Sequence, residues 1–181
     1  MKKYIRFSLA TAMIAIASAG IFFIATAQAA DEMKKDAKME SKLSANDKKF
    51  VKKAYKGGLT EIAEAQTAKE KAKNEATKDV AERMITDHGK ANDKLMEIAR
   101  EENLDLGGVQ AKPADFSSDN FDKDYLMALK KDHEKDIAMF EKEANDTGTK
   151  EDSDVKKFAK ETLPTLKEHL QMVEDALAKV K

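Results

Sequence analysis

The chain reads as an all-α protein, a four-helix bundle, and three observations carry that reading. Of its 181 residues 37% are charged and 41% hydrophobic, while only 6% are aromatic and 2 are proline. That composition suits salt-bridged helices and argues against a sandwich or barrel. From residue 44 onward, apolar side chains recur every three or four positions in four separate segments, the period of a helix with one buried face. The breakers Gly107, Gly108 and Pro113 fall together between the second and third of these segments, dividing them two and two. The charges nearly cancel, 33 Lys plus Arg against 34 Asp plus Glu for a net -1, so a nucleic-acid-binding protein is not expected. No cysteine is present, which excludes disulfides, thiolate metal sites, Cys nucleophiles and lipoprotein acylation.

The N-terminus has the pattern of an export signal. Lys2, Lys3 and Arg6 precede an uncharged stretch, 7–27, that ends in Ala27-Gln28-Ala29, small residues of the kind a signal peptidase reads. The expectation is a signal peptide over 1–29, cleaved after Ala29, and a periplasmic mature chain. A retained anchor is the competing reading, since 21 uncharged residues reach the length that spans a bilayer. Cleavage leaves 152 residues and, by removing three positive charges, takes the net charge from -1 to -4. Neither insertion of the mature domain into a membrane nor attraction to an anionic membrane surface is expected. Residues 30–45 mix charges of both signs with few large apolar groups and read as a flexible linker. The bundle domain is then 46–181.

The first helix is expected over about 46–73 behind a Ser44 N-cap, with Phe50, Val51, Ala54, Gly58, Ala65, Ala68 and Ala72 on its inner face. Gly57 and Gly58 each cost a helix roughly 1 kcal/mol against Ala, so they mark close approach of a neighbour rather than a break. The second, about 78–103, follows a Thr77 cap and buries Val80, Ala81, Met84, Ile85, Ala91, Leu95, Ile98 and Ala99. The third, about 119–144 behind Ser118, turns Leu126, Leu129, Ile137, Phe140 and Ala144 inward. The fourth starts at Thr149 or Ser153 and runs to the C-terminus through Val155, Ala159, Leu166, Val173, Leu177 and Val180, with an interruption and kink expected at Pro164. Between the second and third, residues 104–117 could reach about 45 Å when extended, while the second helix is about 39 Å long. So long a connection favours a ferritin-like full-length crossover over an up-down-up-down bundle.

The three histidines supply the chemistry. His88, His133 and His169 each fall mid-seam on a different helix, and Glu61 occupies the seam of the helix that lacks one. Counting from the turns places Glu61 and His88 level and leaves His169 about 6 Å out of register with His133. An acid precedes each ring, in Asp87-His88, Asp132-His133 and Glu168-His169. Such a carboxylate, beside the ring or reaching from a neighbouring helix, fixes its orientation and raises its basicity, as acids behind metal ligands do. Neutral imidazoles and a carboxylate converging in a bundle suit zinc, iron, nickel or copper, and the ligand types do not choose among them. A lone seam histidine is more often a hydrogen-bonded core residue, and three of them with nearby acids also make a purely structural polar network. Met84 and Met172 sit within a turn of a histidine but read as core packing. Asp105, Asp115, Asp119, Asp122 and Asp124 read as caps and solvated charges. No nucleophile elbow or phosphate cradle occurs, so no hydrolase or nucleotide enzyme is expected.

Several short motifs in order resemble an exported bacterial family, the domain of unknown function 4142, often labelled outer membrane proteins. They are Asp47-x-x-Phe50 with Ala54; Gly57-Gly58-x-x-Glu61; Met84-x-x-Asp87-His88 with Asn92 and Leu95; Phe121-Asp122-x-x-Tyr125; Asp132-His133; and Leu163-Pro164-x-Leu166-x-x-His169. The resemblance implies a ferritin-like bundle and supports Glu61, His88, His133 and His169 as one site, without implying an activity. The Glu-x-x-His motif of di-iron bundles is missing, because Ile85, Lys130 and Leu166 occupy the positions three before each histidine. An iron oxidase is thereby disfavoured, and the helical pattern offers no strands for an outer-membrane barrel. Two readings of function follow: a metal-binding sensor or scavenger, or a non-catalytic envelope stress or interaction module with structural histidines.

Overall fold

In a computed structural model of the chain, residues 41–116, 118–148 and 153–180 are described, and the expected signal peptide and most of the linker lie outside them. Four helices account for about three quarters of the described residues: α1 (Ala45–Lys71), α2 (Glu75–Glu101), α3 (Phe121–Ala144) and α4 (Asp154–Leu177). No strand occurs among the described residues. Ser44 caps α1 as expected, with a reciprocal bond between its backbone N–H and Asp47. Just before it, Leu43 packs against the core.

The caps of α2 and α3 differ from expectation. Asn74, not Thr77, caps α2, its Oδ1 accepting the Ala76 N–H at 2.9 Å, while Thr77 is fully buried inside the first turn. Asn120 rather than Ser118 stands at the start of α3; Ser118 Oγ accepts the Asn120 N–H and donates to Asp124. Asp122, expected to be a cap or a solvated charge, is buried and caps a different helix pair. Its carboxylate accepts the N–H groups of Lys73 and Asn74 at 3.1 and 2.9 Å and so fixes the α1–α2 turn. α4 begins behind Ser153, ends at Leu177 short of the C-terminus, and runs through Pro164 without interruption. Two residues before Pro164, Thr162 Oγ1 donates to the Phe158 carbonyl at 2.7 Å.

The membership of the two apolar clusters gives the topology. One gathers the N-terminal part of α1, the C-terminal parts of α2 and α3 and the N-terminal part of α4, from Phe50 and Leu95 to Phe140 and Phe158. The other gathers the opposite ends, from Ala65 and Met84 to Leu126 and Val173. α2 therefore ends where α3 also ends, and residues 102–120 must travel the length of the bundle to connect them. This is the expected full-length crossover, the connection of ferritin-like bundles. α1 packs chiefly on α2 and α3 on α4, and the two hairpins meet through α2–α4 and α1–α3. The crossover is tied to α1, where the Lys112 N–H donates to Thr60 Oγ1 at 3.0 Å and the Ala114 N–H to Glu64 Oε1 at 2.7 Å.

Gly58 has the packing role its position predicts. A Cβ there would strike the buried Asn92 amide of α2, far inside contact distance. Gly89 faces open space. Gly89→Ala is expected to stabilise by about 1 kcal/mol through helix propensity, whereas Gly58→Ala, with the same propensity gain, is expected to destabilise by about 1 kcal/mol or more through overpacking. Urea denaturation of the two variants checks the pair, and equal stabilisation by both would disprove the close approach.

A buried histidine and glutamate layer

Between the two apolar clusters, each helix contributes one polar residue at the same height. Glu61 lies between Ala54 and Ala65, His88 between Met84 and Leu95, His133 between Leu129 and Phe140, and His169 between Leu166 and Val173. All four are buried. The four residues singled out in the sequence therefore meet. His133 and His169, expected about 6 Å out of register, instead have ring centroids 5.3 Å apart.

The rings lie close together, with centroids 5.6 Å apart for His88–His133 and 5.3 Å for each of the other two pairs. One ring nitrogen from each of the three lies within 4.8 Å of the others. Glu61 Oε2 approaches His88 Nε2 to 2.7 Å, an ion-pair contact whose angles fall outside a hydrogen bond. Its other oxygen lies 3.7 Å from His133 Nδ1.

Two rings are oriented by groups that can only accept. His133 Nδ1 lies 3.1 Å from the Leu129 carbonyl, so it carries the proton and donates. His169 Nε2 lies 3.1 Å from Asp87 Oδ2. Burial pushes the Asp87 carboxyl up, but hydrogen bonds from His169 and Arg83 outweigh it and hold the group below the usual range, as a carboxylate. His169 Nε2 is therefore the donor as well. In their neutral forms both rings then present bare lone pairs, at His133 Nε2 and His169 Nδ1, and these atoms face each other across 3.1 Å.

A proton is poorly placed to fill that gap. Burial pulls His133 below its ordinary value, against the pull of Glu61. Burial and the charges of the other two rings take His169 down to about 4, although Asp87 opposes them. His88 differs: burial lowers it, but the Glu61 charge beside it prevails and holds it up. Glu61 in turn is held down by the three rings despite burial. The metal-free layer thus holds a His88–Glu61 ion pair and two neutral rings.

The partners around this layer are not evident from the sequence. Of the three acids that precede histidines, only Asp87 supports a ring, and it reaches across to His169 on α4. Asp132 pairs with Lys135 at 2.6 Å, and Glu168 lies 3.5 Å from Arg83 at the surface. Asp136, one turn after His133, is raised to about 7 by burial and by the Glu61 charge. Both amide atoms of Asn92 and the hydroxyl of Tyr125 are buried without a partner. Met84 and Met172 pack in the apolar cluster, as expected.

A helical bundle crossed by a buried histidine and glutamate layer, with a full-length crossover, is the class of protein these features define. The chain belongs to the family described as Domain of unknown function (DUF4142), whose model matches residues 32–176. No curated protein and no solved structure matches it.

His169 gives the metal-free fold a signed pH dependence. Its value falls from 6.5 to about 4, so between these limits the unfolded chain binds a proton that the folded chain refuses. Stability is whole above pH 6.5 and is lost as pH falls through this window. Thermal unfolding of metal-free protein should show Tm declining from pH 6.5 to 4, with a shallower decline in His169→Gln; identical slopes would count against the assignment.

Proposed function

We propose that this protein is an exported metal-binding bundle that holds one transition-metal ion through Glu61, His88, His133 and His169. The observation that carries the reading is the pair of facing lone pairs at His133 Nε2 and His169 Nδ1, 3.1 Å apart in the buried core. Two unprotonated nitrogens repel at that distance, and a cation bound to both turns the repulsion into coordination. A tetrahedral ion with bonds of about 2.0–2.1 Å sets its donors about 3.3 Å apart, so this pair already has the spacing required. One nitrogen from each of the three rings lies within 4.8 Å of the others, and Glu61, 2.7 Å from His88 Nε2, would add a carboxylate to this three-imidazole group. Asp87 supports the set from behind His169 in the manner of acids that hold metal-ligating imidazoles.

The donor set accommodates zinc, copper, nickel or iron. With no Glu-x-x-His pair and one carboxylate among the ligands, it is poorly suited to a di-iron oxidase. The N-terminal pattern of Lys2, Lys3, Arg6 and the uncharged 7–27 stretch supports export, and none of the described helices is long and apolar enough to cross a membrane.

Untagged protein isolated from the periplasm should carry close to one ion per chain by elemental analysis. His133→Ala and His169→Ala should lose it. Asp87→Asn should keep the site while weakening it about 10- to 100-fold. Affinity should fall with pH, since His88 gives up its proton to bind. A chain that takes up none of zinc, copper, nickel or iron at neutral pH would leave the layer as a structural network within a non-catalytic envelope module.

A further inference from the structure

The first three turns of α1 carry five lysines and no exposed acid. Lys48, Lys49, Lys52, Lys53 and Lys56 fall, at 3.6 residues per turn, within an arc of about 140° and a rise of about 12 Å. Phe50, Val51 and Ala54 occupy the opposite arc and are buried. Asp47, Glu61 and Glu64 are acids of the same helix, but all three are buried as well. The first exposed carboxylate of α1 is that of Glu70.

These ammonium groups are unmatched. None of the five forms an ion pair among the described residues, and neither do Lys112 of the crossover and Lys142 of α3, which share cavities with them. By contrast Lys69, Lys94, Lys130, Lys135 and Lys167 each lie within 2.8 Å of a carboxylate. Three open cavities of about 240, 510 and 280 Å³ meet along the lysine face, and Lys53 lines all of them. Of the acids in the two smaller ones, Glu61 and Glu143 are buried, Asp136 and Asp146 are half-buried, and Asp132 pairs with Lys135. The largest is lined by all five lysines, by Leu104 and Val109 among the crossover residues, and by no acid.

The near-zero net charge of the whole chain, which speaks against attraction to an anionic membrane, averages this asymmetry away. At physiological ionic strength charges are screened beyond about 8 Å, whereas a bundle two helices deep is about 20 Å across. An approaching surface therefore meets the lysines and not the acids behind them. The chemistry of the face narrows the partner. It has no arginine to grip a carboxylate or phosphate at two points, and its nearest aromatic ring, Tyr55, packs against the apolar core instead of standing free to stack a base. Flexible point charges spread over open, partly apolar ground suit an extended array of single negative charges, as clustered lysines on an amphipathic helix do.

We propose that the lysine face of α1 is a docking surface for an anionic phospholipid bilayer, with the helix lying along the headgroups and the bundle held peripherally by charge. None of the described helices is long and apolar enough to cross the membrane, and this attachment requires none to do so. It stands apart from the metal reading above.

Sedimentation with vesicles tests the face, using protein isolated from the periplasm. Vesicles of equal parts phosphatidylglycerol and phosphatidylcholine should carry the protein down at low salt and release it at high salt, while vesicles of phosphatidylcholine alone should leave it in solution. Lys49→Gln, Lys52→Gln and Lys53→Gln combined should weaken binding about 100-fold. Removing as many charges elsewhere, by Lys94→Gln, Lys130→Gln and Lys167→Gln, changes the net charge equally and should weaken binding less than about fivefold. If the second triple variant loses as much as the first, or if anionic vesicles leave the unmodified protein in solution at low salt, the membrane face is overturned. Retention on polyaspartate but not on the vesicles would overturn it in favour of an acidic protein partner.

Discussion

The constraint on which the rest of the structure depends is the cost of keeping three imidazoles and a carboxylate out of water. An isolated buried charge is not tolerated in a core of this kind. The bundle meets the cost by compensation within the layer: Glu61 is balanced by His88 at 2.7 Å, and the other two rings stay neutral. Each neutral ring is aimed by an acceptor outside the layer, the Leu129 carbonyl for one and the Asp87 carboxylate for the other. The aim is what leaves the two inner nitrogens bare. A network whose only purpose was structural would gain by turning one ring to donate to the other, and here each ring's proton is already committed elsewhere.

Much of this was legible in the sequence. Four helices follow from apolar periodicity, and their inner faces were assigned almost residue by residue. The length of the α2–α3 connection, the breakers Gly107, Gly108 and Pro113 within it, and the reach of an extended chain pointed to a crossover. Chain counting put Glu61 and His88 at one height and His133 mid-helix, because rise per residue is fixed. What counting cannot supply is rotation about the helix axis. Asp87 lies off the seam, yet its side chain spans to His169, while Asp132 and Glu168, equally adjacent to histidines, turn to surface lysine and arginine partners. Asn92 and Asp136 are similar: each stands a turn from a histidine on the margin of the seam, and only the neighbouring backbone at Gly58 or Gly57 shows what it faces.

The caps were misplaced for a related reason. Thr77 and Ser118 are good capping residues by type, but Asn74 caps α2 in place of Thr77, Asn120 takes the N-cap position of α3 without a side-chain bond, and the α1–α2 turn is held from a distance by Asp122 of α3. A long-range carboxylate that caps another helix pair leaves no local signature. Pro164, a helix breaker by local rules, sits within an unbroken α4. Packing of the residues on either side, Ala159 against one cluster and Leu166 beside it, outweighs the lost backbone donor.

The division of the interior into two apolar clusters has a mechanical consequence. Every helix must cross the polar layer to reach from one cluster to the other, so the layer is the seam along which two oily halves are joined. Dispersion and water exclusion bind each half internally, but across the seam the joint consists of a few directional contacts. An ion seated there would act as a rivet through all four rods at once, at the level where apolar packing is interrupted.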